Sequence, residues 1–153
     1  MSNLILLADG GSRGNPGPAA SGFVILLAPE IAVVQKSNVL NPEVLDIKYL
    51  SHQQGFDLGV ATNNVAEWTA LERGLEYLLS QNLQQETLQV LMDSNLVIQQ
   101  IQGLWKVKDV NLRIIWERTR LLLTEFQFIK FAHIYREFNS LPDLAVNQVL
   151  DNL

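Results

Sequence analysis

Four carboxylates stand where the chain changes structure. Asp9 ends the apolar run Leu4 to Ala8, and Asp93 ends the run Thr87 to Met92. Glu67 and Asp143 fall in the opening turns of two helical patterns. Each has a local explanation. Asp9 suits the start of a turn, because Gly10, Gly11, Gly14, Pro16, Gly17 and Pro18 follow it. Glu67 comes three residues after Asn64, a capping-box spacing, and Asp93 or Ser94 can cap the helix behind it. Asp143 follows Ser140 at the same spacing, with Pro142 in the first turn. Local explanations do not cover the shared placement: strand ends and first helical turns are where an α/β sheet opens toward a ligand. Carboxylates gathered there repel and raise one another's pKa unless divalent cations neutralise them. Magnesium takes oxygen ligands, and two such ions about 4 Å apart can clamp the attacking and leaving oxygens of a phosphodiester. A phosphate-cradling glycine loop fits less well, since G-x-G-x-x-G is absent and a strand pattern, Phe23 to Leu27, follows Gly17.

The elements that must position these groups fit one domain over residues 1–153, long enough to bury its own core. Nearly half the residues are apolar, which excludes disorder as the default. Without cysteine there is neither a disulfide framework nor a thiolate zinc site. No apolar run approaches membrane-spanning length, and the first one lacks a basic flank, so a cytoplasmic monomer without membrane contact is expected. The net charge of −5 is unevenly spread, because Leu104 to Arg136 carries a local +4. That segment is compatible with nucleic acid held over a metal site, and equally with the solvated face of a helix.

Ser21 to Ala28 and Ile31 to Val39 read as strands after the first turn. A segment of about 28–61 is an extended hairpin or insertion. Within it Val44 to Leu50 suggests a strand, Gln53-Gln54-Gly55 a turn, and His52 a surface residue without a partner. Asn64 opens a helix with Trp68, Leu71, Leu75 and Leu78 on one face. Thr87 to Met92 is a buried strand, Leu96 to Ile101 lies in a helix, and Asn111 to Glu125 is a long amphipathic helix. Gln127 to Tyr135 is a strand, and Ser140 opens the last helix. Strands alternating with helices late in the chain, after strands joined by short turns, give a mixed α/β sheet.

Asp9-Gly10-Gly11-Ser12-Arg13-Gly14-Asn15-Pro16-Gly17, Thr62-Asn63-Asn64-Val65-Ala66-Glu67, Met92-Asp93-Ser94 and Asn139-Ser140-Leu141-Pro142-Asp143 resemble, in order, the type 1 ribonucleases H. The resemblance covers nearly the whole chain. It implies a ribonuclease H-like fold, a five-stranded mixed sheet flanked by helices. It also implies endonucleolytic cleavage of the RNA strand of an RNA–DNA hybrid with two magnesium ions, manganese being a possible substitute. Asp9, Glu67, Asp93 and Asp143 match the metal-binding set. Asn15, Asn63, Asn64 and Asn95 match positions that contact the hybrid's minor groove, and Thr62 one that holds a DNA phosphate. Uncharged amides suit the 2′-hydroxyl, which both donates and accepts, although asparagine is also a common turn residue.

The chain departs from the family pattern in places. Pro142 stands where alanine is usual. The basic, tryptophan-bearing protrusion of some members is reduced to Trp105, Lys106 and Lys108, which with Arg13 and Arg136 are the expected phosphate contacts. His133, ten residues before Asp143, is expected to carry a proton during turnover, with Arg136 as the competitor. The alternatives are a non-catalytic hybrid-binding module and a DNA-cutting nuclease of the same fold. All four carboxylates oppose the first, and Asn15, Asn63 and Asn64 oppose the second.

Overall fold

A computed structural model describes residues 3–153. Five strands form the main sheet: β1 (Asn3–Ser12), β2 (Gly17–Ala28), β5 (Leu50–Ala61), β6 (Thr87–Met92) and β7 (Phe128–His133). Their order is β5-β2-β1-β6-β7. β2 runs antiparallel to β1 and to β5, whereas β6 is parallel to both β1 and β7. The expected mixed sheet is therefore present. Four helices complete it: α1 (Asn63–Ser80), α2 (Asn95–Ile101), α3 (Val110–Leu123) and α4 (Ser140–Asp151).

β1 is central and apolar throughout because both of its faces are covered. Leu4, Leu6 and Ala8 face a core completed by Trp68, Leu71, Leu75 and Leu78 of α1, with residues of α2 and α3. Ile5 and Leu7 face the opposite core, built with Val24, Leu26, Leu91 and Ile134 and covered by Ala32, Val39 and Val44. α4 covers the remainder of that second face, setting Val146 and Leu150 against Ala20.

Several expectations need correcting. β1 does not stop at Asp9 but runs on to Ser12, so Gly10 and Gly11 are strand residues. Ile31–Val39 is not one strand. It holds a small hairpin, β3 (Val34–Gln35) and β4 (Asn38–Val39), turning through Lys36 and Ser37, both at positive φ. Pro42–Leu45 and Ile47–Tyr49 are 3-10 turns, and the chain stays extended through Gln53-Gln54-Gly55 as part of β5. β5 carries little sequence signal because it is an edge strand whose residues are half-buried or exposed, which leaves no apolar run to read. His52 does have partners: it stacks on Tyr77 with ring centroids 3.8 Å apart and lies near Phe23.

Candidate active site

The sheet register brings the first two carboxylates together. Ala8 pairs with Met92 across the parallel β1–β6 ladder, so the next residues, Asp9 within β1 and Asp93 just past the end of β6, stand side by side. Glu67 arrives on α1. The helix is capped not by Asn64 but by Thr62, whose side-chain oxygen accepts from Val65 N at 3.2 Å, so Glu67 lies outside any capping box. Ser21 of β2 reaches the same helix, its hydroxyl donating to the Ala66 carbonyl at 2.6 Å. Asp143 comes from the first turn of α4. That turn reaches the sheet because a Cβ at Gly22 would lie only 2.9 Å from the Pro142 carbonyl oxygen. Gly22 is the β2 residue paired with Asp9, so this close approach sets Asp143 beside Asp9.

The four carboxylates line one cavity of about 620 Å³, together with Ser12, Arg13, Asn63 and Arg136. Asp9 is buried, and its carboxyl is pushed up to about 8. Burial is the main cause, followed by the charges of Asp93 and Asp143, a hydrogen bond with Asp143, and the charge of Glu67. Glu67 is pushed up to about 7 by burial and the charge of Asp93, against the opposing effects of a Ser94 hydrogen bond and Arg136. Among the described residues the Arg136 guanidinium pairs with the group, 3.8 Å from Asp93 Oδ2 and largely in solvent.

Asn139 organises the other side of Asp93. Its buried Nδ2 donates to the Ala8 carbonyl at 3.0 Å and to Asp93 Oδ1 at 3.2 Å, tying α4 to both carboxylate-bearing strands. This is why it occupies the N-cap position of α4 without making a side-chain cap, and why Ser140 is a helix residue instead. Asn139 was visible only as part of a motif, because a helix-start asparagine usually signals a cap.

Excess buried negative charge in an all-oxygen donor set matches a hard divalent cation. Among the described residues the carboxylates surround the cavity and do not converge as a ready-made cage of three or more ligands. The residues fit magnesium by chemistry, through the carboxyls of Asp9, Glu67, Asp93 and Asp143.

The remaining expected residues divide. Asn63 lines the cavity, while its Oδ1 accepts from Ser12 N at 2.7 Å and its own N–H donates to Asn15 Oδ1 at 3.0 Å. Asn64 and Asn95 are exposed, with Asn95 Oδ1 accepting from Gln99. Arg13 is ion-paired to Asp151. Thr62 lies in a separate hollow with Pro16, Val65 and Asn111, and Trp105 and Lys106 lie in another with Arg113 and Trp116. Lys108 is exposed and lines neither. His133 does not line the carboxylate cavity, and both of its ring nitrogens are engaged, Nδ1 with Ser37 Oγ at 2.6 Å and Nε2 with the Asp93 carbonyl at 3.2 Å. In this arrangement His133 is held between Ser37 and the Asp93 carbonyl, whereas Arg136 stands at the cavity wall.

The reverse transcriptase-like family matches residues 48–149. Bifunctional protein Rv2228c of Mycobacterium tuberculosis is 34% identical over 148 residues, 97% of this chain and 35% of that protein. Ribonuclease HI of Halobacterium salinarum is 35% identical over 144 residues, 94% of this chain and 62% of that protein. The chain thus spans about a third of the mycobacterial relative's length and under two thirds of the halobacterial one's. Among solved structures, RNase H1 from Halobacterium salinarum superposes with a TM-score of 0.81 at 32% identity, covering 99% of both chains. LC11-RNase H1, solved in complex with an RNA/DNA hybrid, gives 0.77 at 36% identity over 97% of both. A matched family over more than half of the sequence and end-to-end similarity to solved RNase H1 chains carry one conclusion: this chain belongs to the type 1 ribonuclease H family.

Proposed function

We propose that this chain hydrolyses the RNA strand of RNA–DNA hybrids endonucleolytically, as one domain with two magnesium ions, which manganese can replace. The observation that carries the reading is the convergence of Asp9, Glu67, Asp93 and Asp143 on one cavity beside Arg136. Bound there, the ions would supply an activated water and stabilise the charge developing on the phosphate. The protein's own part is to hold four carboxyls together, one on β1, one just past β6 and two on helices, and to orient Asp93 through Asn139. Arg136, always charged, stabilises phosphate charge and transfers no proton. The Asn63 amide, with its oxygen occupied by Ser12, keeps Nδ2–H donors for a 2′-hydroxyl. Asn15, Asn64, Asn95 and Thr62 sit near the same end of α1 or α2 and extend that contact along the strand pair, while Arg13, Trp105, Lys106 and Lys108 meet backbone phosphates.

Labelled hybrid, duplex RNA and duplex DNA, each incubated with and without magnesium, test the proposal. Cleavage confined to the RNA of the hybrid, and only with metal, is expected. Cutting of duplex DNA, or hybrid binding without cutting, would overturn it.

A further inference from the structure

The segment between β2 and β5 is fastened to the sheet at points that lead to the carboxylate cavity. Gln89 of β6 is buried and grips the backbone of Ala32, accepting from its N–H at 2.9 Å and donating to its carbonyl at 2.8 Å. Val39 and Val44 are buried against Ile5, Leu7, Val24 and Leu26. These contacts lay the β3–β4 hairpin over the second face of the sheet and carry its tip to the end of β7. There the Ser37 carbonyl accepts from Tyr135 N at 2.9 Å. Its hydroxyl meets His133 Nδ1 at 2.6 Å.

His133 passes the contact on. It is the last residue of β7, paired with Met92, the last of β6. The Ile134 N–H still donates to the Met92 carbonyl at 2.9 Å, but the strands end there. One residue further, the Asp93 carbonyl has no strand partner and receives His133 Nε2 at 3.2 Å instead. A carbonyl only accepts, so Nε2 carries the proton and Nδ1 accepts from the Ser37 hydroxyl. The result is a directed chain: Ser37 hydroxyl to imidazole to Asp93 carbonyl. It holds the backbone of Asp93, while Asn139 holds the side chain.

We infer that the hairpin tip at Ser37 is a positioning element for Asp93, acting through His133. This rests on the ribonuclease reading only in taking Asp93 as a metal-binding carboxylate. The segment between β2 and β5 thereby gains a role: it stiffens the strand end on which a ligand sits. Outer hydrogen bonds of this kind orient metal ligands, and losing one typically weakens metal binding by about 10- to 100-fold.

The test is calorimetric titration of magnesium into the full chain without nucleic acid, for the parent, Ser37→Ala, His133→Ala and His133→Gln. Ser37→Ala and His133→Ala should each weaken magnesium binding by about 10-fold, and the double variant no more than His133→Ala alone. His133→Gln should recover most of the loss, because its amide can donate to the Asp93 carbonyl though it cannot carry a proton. Amide exchange at Asp93 to Asn95 should quicken in Ser37→Ala and in His133→Ala, and slow again in His133→Gln. Parent-like magnesium binding by Ser37→Ala, or a His133→Gln variant no better than His133→Ala, overturns the inference. Ser37→Ala removes one hydroxyl from a half-buried turn, so it carries the test if His133→Ala fails to fold. A parent that binds magnesium and shows these differences, yet does not cut hybrid, supports the positioning role and removes only the ribonuclease reading.

Discussion

Gly10 lies so close to Ala66 that a Cβ on it would sit 2.2 Å from the Ala66 carbonyl carbon and 2.4 Å from the Glu67 amide nitrogen. The glycine therefore sets the distance between β1 and α1, and with it the distance between Asp9 and Glu67. Gly10→Ala must push α1 off the strand, since the clash is with backbone and no rotamer relieves it. Overpacking of this kind costs about 1–3 kcal/mol or more. A lower melting temperature together with loss of hybrid cleavage is expected. A variant with parent-like melting and activity would show that α1 can shift freely.

Asp9→Asn should reduce cleavage at least about 100-fold, as loss of a charge that organises the transition state does elsewhere. It should also change how metal-free stability depends on pH. The Asp9 carboxyl is raised from 3.8 to about 8, so between these values the folded chain holds a proton that the unfolded chain releases. Its contribution to stability is complete below about pH 4 and is lost as pH rises toward 8. Without magnesium, the parent should therefore melt at progressively lower temperature from pH 5 to pH 8, and Asp9→Asn should flatten that trend. Melting curves in chelator across the range decide it, and equal slopes for the two proteins would remove Asp9 from the charged cluster.

The four carboxylates were legible in the sequence because each interrupts an apolar run or opens a helix. Leu4 to Ala8 is apolar on both strand faces and Leu88 to Met92 is apolar but for Gln89, so a charged residue at their ends stands out. Distances of approach were not legible. Gly10 reads as a turn former, yet it is a strand residue selected for contact with α1, and nothing local separates the two uses. β5 was hidden for the opposite reason: at the sheet edge, residues such as Gln53 and Gln54 stay exposed and leave no apolar signature. His133 shows a further limit. Its partners come from Ser37, far away in sequence, and from a carbonyl, and neither is visible from its local sequence.

Hybrid binding should fall steeply with salt despite the acidic composition, because the phosphates meet a locally basic segment. Lys106 and Lys108 are exposed on the loop after α2, and Lys106 shares a groove with Trp105, Arg113 and Trp116. Changing both lysines to alanine should lower the slope of log affinity against log salt by about 0.9 for each phosphate that a lysine had neutralised. Affinity measured at a series of salt concentrations is the check. An unchanged slope would move the phosphate-binding surface elsewhere on the protein.

Arg136 is the residue whose variants should separate charge stabilisation from metal binding. Its guanidinium is 3.8 Å from Asp93 Oδ2 and lines the carboxylate cavity, yet its side chain is 90% exposed and free to follow a phosphate. The arginine end of that pair lies in solvent and the contact is long, so Arg136→Ala should melt close to the parent. Removing a cation aimed at a developing phosphate charge should instead slow single-turnover cleavage, by about 10- to 100-fold at saturating magnesium. Arg136→Lys should restore part of the rate, because it returns the charge without the planar fork. The rate loss should be nearly independent of pH from about 6 to 9, since arginine stays charged throughout that range. A loss that grows on one side of neutrality would mean that Arg136 acts through a titrating neighbour. A full rescue of Arg136→Ala by higher magnesium would assign it to metal retention and take it out of the chemical step.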